Sequence, residues 1–312
     1  MNEIQKAAHI IQDGGLVAFP TETFYGLGSD ALNPMAVAAI FEAKNRPQFD
    51  PLIVHVADLG QAEILVNAFP SKALRLTEKF WPGPLTLVLP KSNLVPDIVT
   101  ASLKSVAIRV PNHPMALALI REAGRPIAAP SANPFGQVSP TTAEHVRKSL
   151  GNKVDMVLDG GPCQVGVEST IISFADAEPA LLRPGGVPLE EIEAVIGKVQ
   201  VPALTGEKPQ APGQLLQHYS PRTPMKFGAV STSPTGKKTG LLVFQKIQEG
   251  SEFNAVEILS AKGDLREAAA NLFAAMRRLD EQGLDLIVAE PLPPHGLGRA
   301  INDRLYRASQ KV

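Results

Sequence analysis

The sequence places several polar and cationic side chains directly after apolar runs, where ligands usually bind in α/β sheets. The clearest pair is Lys44 and Arg46, two residues apart before Pro47. Because Pro47 biases Arg46 towards an extended conformation, the stretch does not continue as a helix. Both side chains can then reach one anion, arginine as a bidentate donor and lysine as a point charge. The pair predicts an anion site, although two cations near a helix C-terminus also stabilise the helix dipole, by about 0.3–1 kcal/mol.

Two strand-like runs carry titratable or charged side chains. Arg109 stands near the end of the run 106–110, and a buried arginine needs an anionic partner. That partner is either a ligand or an internal Asp or Glu. His55 interrupts the apolar run 52–56, where a lone histidine is more often a hydrogen-bonded structural residue than a catalyst.

Polar loops follow other apolar runs. The string at 20–28 (PTETFYGLG) comes after a strand, and by itself it favours a turn in which the threonines cap backbone groups. The other polar or cationic groups at such positions are Ser131, Asn133, Ser139, Ser169 and Arg183. Each signal is weak alone, and what they share is their place at the ends of apolar runs.

Familiar catalytic and nucleotide motifs are absent from the sequence. It has no P-loop, no complete G-x-G-x-x-G fingerprint, no H-E-x-x-H and no G-x-S-x-G. No clustered carboxylate pair and no metal-type Cys/His spacing occurs, so no metal site is predicted. A nucleotide would therefore bind through lysine, arginine and hydroxyl contacts.

The elements that position these residues alternate between helix and strand, which predicts an α/β or α+β domain with a well-covered sheet. Asn33 and Pro34 predict the start of a helix that runs to about Ala43. The other predicted helices are 4–11, 71–80, 114–122, one beginning at 141–142, and 189–196. The predicted strands are 16–19, 52–56, 85–89, 106–110, 127–129, 156–158, 170–174 and 181–183.

A proline-rich stretch at 201–224 predicts a linker between two domains, at 1–200 and 225–312. The second domain has predicted strands at 241–244, 256–259 and 286–289 and a long amphipathic helix at 264–282. It is a smaller α/β domain. Its last residues include Arg299, Arg304, Arg307 and Lys311, a basic end typical of a solvated surface.

Composition limits the class of protein. The chain has 312 residues, with 30 Lys and Arg against 31 Asp and Glu. The net charge of -1 argues against a dedicated nucleic-acid binder, although a local basic cleft is compatible with it. The single cysteine, Cys163, fits a reducing compartment. No secretory signal and no membrane-spanning run is visible, so the predicted location is cytoplasmic.

Taken in order, the motifs resemble the YrdC-like family. The K-x-R element is present as Lys44 and Arg46, and the S-x-N element as Ser131 and Asn133. The string 20–28, the segments 51–55, 109–111, 168–170 and 183–185, and the linker motif 218–221 (HYSP) also match. The resemblance implies a twisted-sheet α/β domain with a large open cleft, followed by a smaller Rossmann-like α/β domain, as in the long form of the family.

The resemblance also implies an activity. Members of this long form make threonylcarbamoyl-AMP and pyrophosphate from L-threonine, bicarbonate and ATP, and Mg2+ would arrive with the ATP. The product serves threonylcarbamoylation of the tRNA adenosine next to the anticodon. A separate transferase complex, a transient partner, performs that step, and direct tRNA binding is left open.

The family's functional residues map onto this chain by motif. Threonine would be held by Thr23, His55, Arg109, Ala129 and Ser169. ATP would be contacted by Lys44, Arg46, Asp50, Ser105, Ser131, Asn133, Ser139, Arg183 and Tyr219. Lys44 and Arg46 would act in catalysis, and His218 and Tyr219 would lie on a linker that folds over the cleft as a lid. Asp50 stands where the family pattern has asparagine.

Three other interpretations are carried forward. The first is an RNA-binding module of the YrdC type without catalysis, which the near-neutral charge and 5% aromatic content disfavour. The second is the YrdC-like part of a hydrogenase-maturation protein, which would require a longer chain with Cys-rich segments. The third is a two-domain scaffold whose loop residues only cap turns.

Overall fold

Two β-sheets organise the chain. The computed structural model describes residues 1–202, 209–228, 236–246 and 252–310. The first sheet has nine strands in the order β7-β1-β2-β6-β3-β5-β4-β8-β9, and the second has four in the order β10-β13-β11-β12. The predicted α/β class is confirmed.

The element bounds agree with most of the predicted runs. The helices are α1 (Glu3–Gln12), α2 (Pro34–Lys44), α3 (Leu59–Glu63), α4 (Ser71–Phe80), α5 (Asp97–Thr100), α6 (Pro114–Ala123), α7 (Ala143–Leu150), α8 (Leu189–Ile196), α9 (Leu265–Asp280) and α10 (Leu297–Ala308). The strands are β1 (Val17–Pro20), β2 (Tyr25–Asp30), β3 (Ile53–His55), β4 (Leu85–Pro90), β5 (Ser105–Arg109), β6 (Ile127–Ala128), β7 (Met156–Val157), β8 (Thr170–Ser173), β9 (Ala180–Arg183), β10 (Met225–Phe227), β11 (Thr239–Val243), β12 (Ala255–Ile258) and β13 (Leu286–Ala289).

Local capping explains where α2 begins and ends. The Asn33 side chain accepts hydrogen bonds from the backbone N–H groups of Met35 and Ala36, and Pro34 occupies the first turn. Asn45 closes the helix in the left-handed conformation, with φ 50°. Lys44 is therefore the last residue of the helix, and Arg46 follows just after the turn.

The string at 20–28 is not one loop, and the turn expected there covers only residues 21–24. Tyr25 begins β2, which pairs antiparallel with β1. The two glycines of β2 stand where neighbouring side chains leave little room for a Cβ atom. A Cβ at Gly28 would lie 2.6 Å from atoms of both Phe19 and Ile127. A glycine-rich string that looks like a turn is here a tightly packed strand.

The register of the first sheet brings several predicted residues to one end. β3 and β5 are parallel, and His55 pairs with Arg109 at their carboxyl ends. His55 also pairs with Ile127 of the neighbouring β6. The chain after β6 continues beside β2, where Ser131 forms a bridge with Gly26. The ends of β3 and β5, the loop after β6 and the loop 21–24 therefore adjoin one another.

The second sheet is entirely parallel and packs against α9 and α10. The α9 residues Ala269, Leu272, Met276 and Leu279 are all buried, as the helical spacing predicts. Helix α10 was not predicted, and the solvated surface expected there is wrong for two residues. Arg304 and Arg307 are only 0% and 1% exposed. Lys311 lies outside the described residues.

Part of the predicted linker crosses the first sheet. Residues 209–220, called here the covering segment, run over β3 and β5, and Ala211 is buried in a cluster with Ile53 and Ala107. Ser220 then bridges to Gln137. Residues 203–208 of the predicted linker lie outside the described part of the chain. The domain boundaries at 200 and 224 stay predictions.

Among the helices of the described residues, none combines the length and the apolar character that crossing a lipid bilayer requires.

We expect Gly28→Ala to lower the free energy of unfolding by about 1–3 kcal/mol, because the added methyl overpacks Phe19 and Ile127. Urea unfolding followed by fluorescence of Trp81, the only tryptophan, measures this in the first domain. Gly60→Ala on the exposed α3 is the matched control, since its Cβ meets only Asp58 Oδ1 at 3.5 Å. Equal effects of the two substitutions would contradict the packing argument.

Candidate active site

Arg109 forms the centre of a buried polar group at the end of β5. Its side chain is 0% exposed. Nη1 donates to Thr23 Oγ1 at 3.0 Å, and Nε donates to the Gly83 carbonyl at 3.2 Å. Thr21 Oγ1 lies 2.9 Å from Thr23 Oγ1 and also bonds the Phe24 carbonyl, which fixes the short loop. The threonines thus serve both the turn and the arginine.

The anionic partner that Arg109 requires is Glu22. Its Oε1 lies 2.7 Å from Arg109 Nη2, and the Glu22 side chain is 6% exposed. Neither Glu22 oxygen makes a well-aligned hydrogen bond within the described residues. Glu22 therefore compensates the charge of Arg109 without forming a well-aligned hydrogen bond with it. A ligand carboxylate could replace Glu22 on Arg109 without leaving the arginine unpaired.

His55 is a buried neutral imidazole beside Arg109. It is 1% exposed, and its ring meets that of Phe19 edge to face with centroids 6.0 Å apart. Burial, followed by the charge of Arg109, lowers the pKa of His55 to about 3. Its ring nitrogens have no hydrogen-bond partner among the described residues. An unpaired buried imidazole is available to a polar ligand.

Lys44 binds the loop that follows β6. Its Nζ donates to the Ser131 carbonyl at 2.5 Å and also to the Asn133 carbonyl. These bonds occupy two of the three ammonium donors and leave one. Burial, with Arg46 nearby, lowers the pKa of Lys44 well below its usual value, while Asp50 opposes the shift. The lysine contacts backbone atoms of Ser131 and Asn133 rather than their side chains.

Arg46 is held by the chain that leads into β3. Its Nε donates to the Asp50 carbonyl at 3.1 Å, and Nη2 donates to the Pro51 carbonyl at 2.8 Å. Nη2 also lies 2.9 Å from Asp50 Oδ2 in a buried ion pair. Burial raises the pKa of Asp50, although Arg46, Lys44 and Arg183 pull it down. Among the described residues these contacts leave Nη1 for a ligand.

Arg183 joins the end of β9 to the start of β8 and to the covering segment. Nη2 donates to the Ser169 carbonyl at 2.9 Å and to Ser169 Oγ at 3.2 Å. Nη1 donates to the Pro212 carbonyl at 3.0 Å. Ser169 Oγ lies 2.7 Å from Thr86 Oγ1. The arginine is therefore one polar link between the sheet and the segment above it, beside the Gln214 hydrogen bond to the Leu182 carbonyl.

His218 and Tyr219 of the covering segment lie over these cations. The His218 ring is 5.8 Å from the Phe135 ring and 4.1 Å from the Tyr219 ring. Burial, and then Arg46, Lys44, Arg183 and Arg304, lower the pKa of His218 well below its usual value. The segment therefore presents a neutral imidazole, not a further cation, to the cluster.

The covering segment leaves a cavity of about 30 Å3 in the expected cleft. The sequence-predicted residues that line it are Arg46, Ala129, Ser131, Arg183, His218 and Tyr219. Sites for small molecules usually have about 300–1,000 Å3, so this is a closed arrangement. The nearby cations exceed the carboxylates, which favours an anionic ligand in the cleft.

Five predicted ATP contacts do not line this cavity: Lys44 and Asp50, described above, and Ser105, Asn133 and Ser139. Asn133 is buried, and its Nδ2 bonds the carbonyls of Pro134 and Gln137. Ser139 Oγ donates to Glu168 Oε1 at 3.0 Å. Ser105 lies at the opposite end of β5 from Arg109, about 13 Å along the strand. It points to the same face, and its partner across the sheet is Pro90 of β4.

Two carboxylates of this site, Glu22 and Glu168, and the buried C-terminal arginines were not predicted from the sequence. Glu22 and Glu168 stand inside quoted motifs, directly before Thr23 and Ser169, but neither was singled out. The need for an anion beside Arg109 was the signal for Glu22. No local signal indicates that Glu168 pairs with Arg304, which is 136 residues away.

The fold and the cluster of buried cations define a family. The Sua5/YciO/YrdC family model, described as "Telomere recombination", matches residues 9–185. A second model, described as "Threonylcarbamoyl-AMP synthase, C-terminal domain", matches residues 187–310. The chain belongs to the Sua5/YciO/YrdC family, in its two-domain form, and the resemblance noted from the motifs is confirmed.

Full-length relatives narrow the likeness further. A threonylcarbamoyl-AMP synthase of Pyrococcus abyssi is 45% identical, over 98% of this chain and 94% of the relative. One of Bacillus subtilis is also 45% identical, over 98% of this chain and 93% of the relative. The crystal structure of P. abyssi Sua5 complexed with L-threonine superimposes with a TM-score of 0.91 at 44% identity. It covers 98% of this chain and 94% of that one.

The buried neutral state of His55 makes stability depend on pH. Below pH about 6.5 the unfolded histidine takes up a proton, whereas the folded one does so only near pH 3. The resulting stability is complete above pH 6.5 and is lost as the pH falls towards 3. Between pH 7 and pH 5, we expect wild type to lose about 2 kcal/mol more unfolding free energy than His55→Gln. Parallel losses in urea unfolding at the two pH values would contradict this.

Proposed function

We propose that this protein is a threonylcarbamoyl-AMP synthase, which joins L-threonine, bicarbonate and ATP into threonylcarbamoyl-AMP and pyrophosphate. The observation that carries the proposal is the closed cavity lined by Arg46 and Arg183, with the Arg109 group at the neighbouring strand ends. One part suits a polyphosphate and the other a carboxylate. Full-length likeness to synthases from two organisms supports the same reaction.

The Arg109 group is suited to an amino acid. The threonine carboxylate would take over the Arg109 fork, and Glu22 would then be free to face the ammonium group. Thr23, His55 and Ser169 would supply further polar contacts, and the Ala129 backbone would border the site. Charge is balanced with and without threonine. Without it, Arg109 pairs with Glu22; with it, Arg109 would pair with the threonine carboxylate and Glu22 with the ammonium group.

The cations around the cavity are suited to ATP. The threonine ammonium group first releases a proton to water, and the free amine then forms a carbamate with bicarbonate as a water molecule leaves. A carbamate oxygen then attacks the α-phosphorus, and the bond to the β-phosphate oxygen breaks to release pyrophosphate. Negative charge develops on the phosphate oxygens, where Lys44, Arg46 and Arg183 would offset it. Asp50, Ser105, Ser131, Asn133, Ser139 and Tyr219 would complete the nucleotide site as binding or supporting residues.

Catalysis in this scheme is positioning and electrostatics, without a protein nucleophile. Burial raises the pKa of the Cys163 thiol to about 12, so it is not a thiolate at neutral pH. Mg2+ would be carried by the triphosphate. Among the described residues, no three His, Cys, Asp or Glu side chains are grouped to hold a metal ion.

The covering segment would act as a lid. The carbamate and the mixed anhydride are sensitive to water, and the segment with His218 and Tyr219 would exclude it. ATP requires far more room than the closed cavity offers, so the segment must open and close in each cycle. The product would pass to a tRNA-modifying transferase, a transient partner in the cytoplasm.

RNA binding without catalysis is less well supported. Backbone recognition of RNA needs cations that reach the surface. Lys44, Arg46 and Arg183 are instead 1%, 7% and 3% exposed, beneath the covering segment. These cations fit a small enclosed anion better than an extended one.

Pyrophosphate release by the purified protein tests the reaction. We expect release from ATP only when threonine and bicarbonate are both present. Arg46→Gln should lower kcat/KM by about 100-fold or more, because charge on the phosphates then goes uncompensated. Arg147→Gln on α7, where the arginine is 55% exposed, is the matched control and should behave like wild type.

The combinations of substrates separate the outcomes. If no combination releases pyrophosphate, the enzymatic function is wrong. If release needs no threonine, the protein uses a different acceptor. Circular dichroism of each variant confirms that lost activity does not come from a lost fold.

Gly213 offers a test of the lid. With φ +81°, its Cβ would lie 2.7 Å from Tyr219 Oη and 3.1 Å from Arg183 Cδ. Gly213→Ala should therefore keep the segment from closing, lower kcat/KM for ATP about tenfold and raise the share of product hydrolysed to AMP. Gly197→Ala is the control, since it has φ +80° and no neighbour within 4 Å. Equal AMP yields from the two variants would argue against a lid.

A further inference from the structure

The second domain reaches the proposed ATP site through helix α10. Arg304 on this helix is fully buried, and its Nε lies 2.8 Å from Glu168 Oε2 of the first domain. Its Nη1 also bonds Asp303 Oδ2 at 2.7 Å. A buried arginine is costly unless such partners hold it. The contact is therefore a specific part of the interface between the two domains.

Glu168 is the residue that makes this contact matter. It lines the same cavity as Arg46 and Arg183. Its other oxygen, Oε1, accepts a hydrogen bond from Ser139 Oγ at 3.0 Å. Without Arg304, an uncompensated carboxylate would face the place proposed for the triphosphate and would repel it.

Arg304 also supports the covering segment. Its guanidinium carbon lies 5.2 Å from the centre of the Tyr219 ring, and Phe273 of α9 stacks on that ring at 5.7 Å. One turn further along α10, Arg307 donates to the carbonyls of Gln214 and Leu215 at 2.8 and 2.6 Å. The helix thus contacts both the wall and the cover of the cavity.

The pKa of Arg304 agrees with a fixed positive charge. Burial lowers this pKa, but the combined upward effect of Tyr219, Glu168 and Asp303 is larger, so that the net shift is upward. A second helix of the same domain reinforces the site, since Arg277 of α9 bonds the carbonyls of Val138 and Ser139. Ser139 is therefore held through both its side chain and its backbone.

We propose that Arg304 is a positioning residue of the ATP site, by which the second domain neutralises Glu168 and holds Ser139 and Tyr219 in place. This inference rests on the proposed function. It gives the second domain a direct part in nucleotide binding. It also separates the two substrates, because Arg304 contacts none of the residues proposed for the threonine carboxylate.

The test compares Arg304→Gln, Glu168→Gln and the double variant with Arg299→Gln. Arg299 lies on the same helix but forms a surface pair with Glu190, at 38% and 51% exposure, which makes it the matched control. Calorimetric titration with Mg-ATP gives Kd, and pyrophosphate release gives KM for ATP and threonine. The titration measures ATP binding without turnover. If wild type binds ATP but releases no pyrophosphate, the proposed reaction is wrong, and the effect of Arg304 on ATP binding is still measured.

We expect Arg304→Gln to raise Kd and KM for ATP about tenfold or more, with a much smaller change in KM for threonine. The double variant should return to within about threefold of wild type, because no uncompensated carboxylate remains. A purely structural role would instead lower kcat/KM for ATP and for threonine alike and would not be rescued by Glu168→Gln.

The proposal is overturned if Arg304→Gln binds ATP as Arg299→Gln does, or if the double variant is no better than Arg304→Gln. If Arg304→Gln does not fold, Arg304→Lys takes its place. It keeps the charge but loses the planar fork, and we expect it to raise Kd for ATP by a smaller factor. An unchanged Kd in Arg304→Lys would then overturn the proposal.

Discussion

Concentrating positive charge inside a protein is the constraint on which the rest of this structure depends. Lys44, Arg46, Arg109, Arg183 and Arg304 are all buried near one cleft. Like charges in a poorly solvated space repel one another, and each loses its hydration. The fold places carbonyl groups around Lys44 and Arg183, one carboxylate beside each of Arg46 and Arg109, and two beside Arg304. The site proposed for a polyanion is thereby stabilised without a ligand.

The two domains share this work through chain segments that lie far apart in sequence. The first domain supplies the strand ends and loops, because its mixed sheet brings the ends of β3 and β5 beside the loop after β6. The covering segment adds a carbonyl to Arg183 and two aromatic rings. Helix α10 then fixes both wall and cover. In this proposal, nucleotide binding depends on the docking of the second domain, which gives that domain a function in the ATP site.

How far the sequence predicts the molecule depends on the range of the forces involved. Helix α2 was predictable because Asn33 and Pro34 act within one turn, and the amphipathic face of α9 because burial repeats with helical period. Strand β2 was missed because its glycines serve packing against Phe19, which lies across the sheet. Arg304 was missed for a similar reason, since its partner Glu168 is 136 residues away. The motif resemblance supplied the family, yet most of its residue roles, such as that of Ser105, stay predictions.

The size of the closed cavity has a kinetic consequence. A space of about 30 Å3 holds little more than a water molecule, whereas L-threonine, ATP and both products are many times larger. Under the proposed lid role, every turnover includes at least one opening and closing of the covering segment, however fast the bond-making steps are. Such an opening would break the contacts of Arg183 and Arg307 with the segment, and its frequency would then set an upper limit on the turnover number. The residues of the cleft would then set the rate of the bond-making steps, and the covering segment would set the rate at which substrates enter and products leave.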